Sequence, residues 1–240
     1  MIDLHVHSEF SVDSQSELEQ IAKVAKSKGL KYVGINDHYE MRFGKLKYGF
    51  DTEEFLKAMD SINSDVTLLK GVEWGWDCEG DVPNFEGFDY ISLSVHRCDK
   101  PINNIEECYR DILERMLQCV EEADFDVLDH FDFVRRYMPN TPPIPGHLKS
   151  IVMDILKVIS NKGRAVELNT EGFSIFGEPH PPVWILKEIF KMGIPITIGS
   201  DAHNLEDVGR DVDKALNLIR DLGFKEVVIF KMRRMEALEI

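Results

Sequence analysis

Six of the eight histidines in this 240-residue chain stand in short motifs rich in carboxylates. These are His5-Val6-His7, Asn36-Asp37-His38, Ser94-Val95-His96, Asp129-His130 and Ser200-Asp201-Ala202-His203, with Glu73 closing Gly71-Val72-Glu73. Imidazole nitrogen mixed with carboxylate oxygen suits zinc, manganese or iron. His5 and His7 are two apart on an extended run, so they face the same side and can grip one ion. Two or three divalent ions held about 3.5–4 Å apart can clamp a phosphate, acidify a water between them and stabilise a leaving oxygen. The expected chemistry is therefore metal-dependent phosphoester hydrolysis.

A solitary His38 or His130 would read as a buried, hydrogen-bonded histidine; the grouping argues for metal. Asp13, in Ser11-Val12-Asp13-Ser14, would alone be a loop or capping aspartate, but its place in the first loop makes it a ligand candidate. Asp3, Asp37 and Asp129 lie beside ligand histidines and could orient an imidazole through its other nitrogen, or simply polarise a strand end. His147 reads as a surface histidine, and His180, in Glu178-Pro179-His180-Pro181, as a candidate substrate contact.

Each group must be carried to one place by its element. Strands are predicted at Ile2–Val6, Tyr32–Ile35, Thr67–Val72, Tyr90–Val95, Asp126–Leu128, Ala165–Leu168 and Pro195–Ile198, with an eighth at Val227–Phe230. Helices are predicted at Ser16–Lys28, Thr52–Ile62, Ile105–Glu122, Leu148–Asn161, Pro182–Met192 and Asp211–Leu222. Gly29, Gly163, Gly193 and Gly223 follow helices, as left-handed caps do, and Ser16 with Glu19 suggests a capping box. Loops are expected at Gly75–Asp81, Pro139–Gly146 and Gly177–Pro182. Alternating strands and helices predict an α/β fold, closed into a barrel or open and doubly wound. Six strands run into a metal-competent side chain at their C-terminal ends, the face on which parallel barrels build active sites.

The net charge of −15 argues against unaided nucleic-acid binding but leaves a small phosphorylated substrate open, because bound cations reverse the local sign. No leader or membrane span is evident, and the four cysteines suggest neither a zinc knuckle nor a disulfide framework. A cytoplasmic protein with one domain over residues 1–240 is expected, its oligomeric state open.

Asp3-Leu4-His5-Val6-His7-Ser8 with Asp13 resembles the opening motif of the PHP (polymerase and histidinol phosphatase) superfamily. Asn36-Asp37-His38, Gly71-Val72-Glu73, Ser94-Val95-His96, Asp129-His130-Phe131-Asp132, Glu167-Leu168-Asn169-Thr170 and Gly199-Ser200-Asp201-Ala202-His203 resemble its later motifs in order, over nearly the whole chain. The spacing is most similar to the histidinol-phosphatase branch. The resemblance implies a distorted (β/α)7 barrel and a trinuclear site. It implies His5, His7, Glu73 and Asp201 on one ion, Glu73, His96 and His130 on a second, and Asp13, His38 and His203 on a third. It further implies hydrolysis of histidinol phosphate within histidine biosynthesis.

The branch also implies an arginine in the loop after Asn169-Thr170, where this chain has Glu171 and no arginine through Gly177. Arg135, Arg136 and Arg97 are the candidate replacements at the phosphate. The expected mechanism is attack by a metal-bridging hydroxide, with Glu73 bridging and Asp201 or His203 moving the proton. Other readings are a PHP phosphatase of nucleotides, sugar phosphates or phosphotyrosine, and a non-catalytic metal-binding module. An amidohydrolase fits less well, since that class usually bridges its metals with a lysine.

Overall fold

Runs of β-branched and apolar residues flanked by helical repeats give strands buried on both faces, as parallel sheets require. The structure, a computed structural model, describes residues 1–100, 104–137 and 142–240, without the Tyr137 side chain. Part of the expected Pro139–Gly146 loop therefore lies outside the described residues.

In chain order the elements are β1 (Ile2–Val6), α1 (Leu18–Ser27), β2 (Tyr32–Arg42), β3 (Lys45–Tyr48), α2 (Thr52–Ser61), β4 (Thr67–Gly75), β5 (Tyr90–Ser94), α3 (Ile105–Glu122), β6 (Val127–Leu128) and α4 (Lys149–Lys162). There follow β7 (Ala165–Asn169), α5 (Glu171–Phe176), α6 (Val183–Lys191), β8 (Ile196–Gly199), α7 (Val212–Leu222), β9 (Glu226–Lys231) and β10 (Arg234–Glu239). Strands β1, β2, β4, β5, β6, β7 and β8 neighbour one another in that order, and every pairing is parallel. The two ends of this sheet meet where the His7 N–H donates to the Ala202 carbonyl at 2.9 Å. The sheet is thus nearly closed into the expected seven-stranded barrel. Closure is fastened by Asp3 on β1, whose carboxylate accepts from the Ser200 amide at 2.8 Å, the Ser200 hydroxyl at 2.6 Å and the Gly209 amide at 2.7 Å. Below the mouth, the buried Tyr90 hydroxyl on β5 donates to the Leu4 carbonyl on β1 at 2.5 Å, across the barrel interior.

Several expectations need correction. β2 does not stop at Ile35: it pairs with β4 from Tyr32↔Thr67 to Glu40↔Gly75 and then folds back on β3 as a rim hairpin. Polar Asn36-Asp37-His38 looks like a turn, but its ladder partners are supplied by β4. The expected eighth strand is present, yet β9 pairs only with β10, antiparallel and outside the barrel. The capping box does not form: α1 is capped at Glu17 without a side-chain bond, and the Ser16 carbonyl instead accepts the Glu9 N–H at 3.0 Å. The four expected glycines do take positive φ.

The cysteines also depart from expectation. Cys78, after β4, is disulfide-bonded to Cys119 on α3. The partners are 41 residues apart, so only the topology reveals the pair. The expectation that the cysteines form no disulfide framework is corrected for this pair. Among the described residues no helix is long and apolar enough to cross a membrane.

Candidate metal centre

All nine candidate ligands converge at the C-terminal mouth of the barrel: His5 lies near the end of β1, His7 and Asp13 in the loop that follows it, His38 within β2 and Glu73 within β4, and the segments after β5, β6 and β8 supply His96, His130, Asp201 and His203. Glu73 is the hub. Its Oε2 lies 3.7 Å from His5 Nε2, 3.8 Å from His7 Nε2 and 2.5 Å from His38 Nδ1. Its Oε1 lies 2.9 Å from His130 Nε2 and 3.2 Å from His96 Nε2. Asp201 Oδ1 stands 3.2 Å from His7 Nε2 and 3.8 Å from His5 Nε2. Asp13, despite its exposed loop, brings Oδ2 to 3.3 Å from His38 Nε2 and 3.2 Å from His203 Nε2.

These donors form overlapping groups whose ligand atoms lie within 4.8 Å of one another: His7, Asp13, His38 and His203; His5, Glu73 and His130; and His5, His7 and Asp201. The expected partition differs from this in three ways: His7 also joins Asp13, His38 and His203; His5 rather than His96 stands with Glu73 and His130; and Glu73 is not grouped with His7 and Asp201. The donor set fits divalent ions on a further ground. His5 Nε2 is buried without a hydrogen-bond partner and faces two carboxylate oxygens too distant to bond. Such an atom costs about 1–3 kcal/mol when unsatisfied, and a cation between those groups would satisfy it.

The electrostatics agree. Burial opposes ionisation of Glu73, but His38, His96 and His130 outweigh it and hold the carboxyl well below its ordinary value. Asp201 is likewise held ionised against burial by His5, His7 and Arg136. Burial would lower His38 and His96, yet the carboxylates around them raise these imidazoles to about 10 and about 9. Two imidazoles go the other way: His7 is pushed down to about 3 by burial and by the charges of His38 and His203, and His130 is lowered, chiefly by burial. The ligand cage is strongly negative wherever its imidazoles are neutral, which is the state in which they bind metal.

Sequence reasoning overlooked the groups that aim the imidazoles. Glu167 Oε1 lies 2.7 Å from His5 Nδ1, and Glu40 Oε2 lies 2.8 Å from His96 Nδ1. Each pair leaves the Nε2 of its ring turned to Glu73. Asp37, by contrast, accepts from the Ser8 amide and hydroxyl, both at 2.6 Å, and so shapes the first loop. Asp129 approaches His5 Nδ1 only to 4.0 Å. Two glycines make room for the aiming carboxylates: a Cβ on Gly199 would overlap Glu167 and His5, and one on Gly75 would overlap Glu40. Glu167→Gln is expected to lower metal affinity roughly 10–100-fold, and Gly199→Ala to act in the same direction by displacing Glu167. Metal titration of both variants would check this, and wild-type affinity in both would remove Glu167 from that role.

The arginines divide. Arg135 is buried, bound to Asp132 at 3.2 Å and Glu178 at 3.1 Å, and lies over Phe176 at 4.2 Å. His180 is buried beside it, with Nδ1 2.6 Å from Asp132. Arg97 is held by Asp77 at 2.5 Å and Asp99 at 2.7 Å, over the Phe43 ring. Arg136 alone among these three arginines reaches a ligand carboxylate, with Nη1 3.4 Å from Asp201 Oδ2, while its Nη2 lies 2.9 Å from Glu171 Oε1. His147 pairs with Glu106 at the surface, 2.9 Å away.

The profile of a family described as the PHP domain matches residues 3–171, and one described as PHP-associated matches residues 187–212. A Thermotoga maritima protein described as a probable histidinol-phosphatase is 33% identical over 230 residues, 95% of each chain. A Lactococcus lactis histidinol-phosphatase is 24% identical over 265 residues, covering 98% of this chain and 96% of that one. The fold superposes at TM-score 0.81, over 98% of each chain and with 23% identity, on a crystal structure of the histidinol phosphate phosphatase of Lactococcus lactis complexed with zinc, L-histidinol and phosphate.

Proposed function

We propose, because this chain belongs to the PHP domain family, that it is a metal-dependent phosphomonoesterase of the histidinol-phosphatase type, hydrolysing histidinol phosphate to histidinol and phosphate in histidine biosynthesis. The observation that carries this reading is a set of three donor groups linked through His5 and His7, with Asp13, Glu73 and Asp201 as their carboxylates, in a fold with histidinol-phosphatase relatives matched over nearly their whole length. One domain over residues 1–240 does the work.

His5, His7, Glu73 and Asp201 would hold one ion, His96, His130 and Glu73 a second, and Asp13, His38 and His203 a third; zinc, manganese and iron all suit these donors. Bound there, the ions supply Lewis acidity that lowers the pKa of water and offsets charge on the phosphoryl oxygens. Arg136 binds the phosphate from the mouth and replaces the arginine missing after Asn169-Thr170. Glu171, which would repel a dianion if bare, is neutralised by that same guanidinium. Asp201 is the proton carrier. Its Oδ1 faces His7, while its Oδ2 faces outward to Arg136 and to the Asn169 side-chain amide at 3.3 Å. Held ionised, it can take a proton from the attacking water and return it to the leaving alkoxide. His203 is less suited, since its Nδ1 lies 2.9 Å from the Asp201 carbonyl and its Nε2 is turned to Asp13.

The test is a phosphatase panel with histidinol phosphate, nucleotide, sugar phosphate and phosphotyrosine substrates, on protein reconstituted separately with zinc, manganese and iron. Histidinol phosphate is expected to give the highest kcat/KM, by about 100-fold or more, which is roughly 3 kcal/mol of discrimination. Robust turnover of another ester with none of histidinol phosphate would overturn the substrate and keep the metal chemistry.

A further inference from the structure

All four cysteines gather along one helix. Cys108 and Cys119 are both buried on α3, eleven residues apart, close to three full turns and so on one face. Cys119 is bonded to Cys78 in the segment after β4, the strand that carries Glu73. Cys108 Sγ lies only 2.7 Å from Cys98 Sγ in the segment after β5, two residues beyond His96. The same segments are already laced to α3 by polar contacts. The Asp99 amide donates to Asp111 at 2.8 Å, Arg115 bonds Asp99 at 3.1 Å, and Arg97 ties the segment after β5 to Asp77 in the segment after β4. The backbone therefore already holds Cys98 against Cys108, and a bond between them needs little movement.

We propose that Cys98 and Cys108 are a second disulfide site. Once oxidised, it staples α3 to the His96-bearing segment as Cys78–Cys119 staples it to the Glu73-bearing one. The oxidant is a small disulfide such as glutathione disulfide. The half-exposed Cys98 loses its proton and attacks, forming a mixed disulfide and releasing one glutathione thiolate. Cys108 then loses its proton and attacks the Cys98 sulfur, expelling the second glutathione. Two protein thiols and one glutathione disulfide give one protein disulfide and two glutathiones, with two electrons passed to the glutathione pair. The order follows from exposure, since Cys108 is buried and its thiol is pushed up to about 12 by that burial and by Cys98.

The experiment treats metal-loaded protein with excess glutathione disulfide, alkylates with iodoacetamide, and reads thiols by intact mass and links by peptide mapping. The expected result is no alkylated cysteine, a Cys98–Cys108 linked peptide pair, and a melting temperature raised by roughly 5–10 °C over the Cys98→Ser variant treated alike. Cys98→Ser changes a half-exposed residue and is expected to fold with Cys78–Cys119 intact. Recovery of Cys98 alkylated, or stalled as a glutathione adduct, while Cys78–Cys119 closes would overturn the proposal. So would an equal melting temperature of the two oxidised proteins.

Discussion

Glu73→Gln is expected to lose more than about 100-fold in kcat/KM and to retain substoichiometric metal after gel filtration. Removing a group that merely aims a ligand costs roughly 10–100-fold, and Glu73 touches both halves of the cage. Its two oxygens serve five imidazoles, those of His5, His7 and His38 on one side and of His96 and His130 on the other. Glutamine keeps the shape but removes the charge. It also turns an amide donor toward nitrogens that must themselves meet a cation. The metal-free protein should suffer as well. The Glu73 carboxyl is held well below its ordinary value in the fold, so its ionisation contributes stability at neutral pH. That contribution is present above the unfolded carboxyl pKa and is lost as pH falls through the folded value. The variant lacks it at every pH, so its stability should depend less on acid. Full metal content with near-normal turnover in Glu73→Gln would remove Glu73 from the centre.

The parts of this site that were legible in the sequence share a physical cause. Ligands such as His5, His96 and Asp201 follow short apolar runs, and a parallel barrel delivers the ends of such runs to one face. What escaped depends on non-local partners. The length of β2 comes from its pairing with β4, so Asn36-Asp37-His38 looked like a terminus, and Glu40 beyond it was not seen as the partner of His96. Glu167 stood in plain view in the middle of β7. Its contact with His5 depends on the absent Cβ of Gly199, 32 positions later. Val227–Phe230 has the composition of a barrel strand, and only the neighbouring β10 diverts it into a hairpin. The adjacent Arg135 and Arg136 could not be separated either. In the short 3-10 turn over Phe133–Tyr137 they diverge, one inward to Asp132 and Glu178, the other to the mouth.

That divergence sets up the second large effect, on Arg136→Ala. The guanidinium stands between Asp201 and Glu171, each of which it bonds. Glu171 is buried enough that desolvation and the Asp201 charge raise its carboxyl pKa, with Arg136 acting the other way. Deleting Arg136 therefore does two things at once. It removes a charge-assisted contact worth about 1.5–3 kcal/mol, and it bares one or two carboxylates toward an incoming phosphate dianion. Together these should lower kcat/KM for histidinol phosphate by about 10–100-fold, mostly through KM, with metal content unchanged. Lysine at 136 should recover part of the loss, because it restores charge but not the planar fork that spans both carboxylates. The double change Arg136→Ala with Glu171→Gln separates the two contributions. If repulsion from Glu171 matters, the pair should bind substrate better than Arg136→Ala alone. An unaltered KM in Arg136→Ala would show that the phosphate is held elsewhere, and the arginine missing after Asn169-Thr170 would then have no replacement among the three candidates.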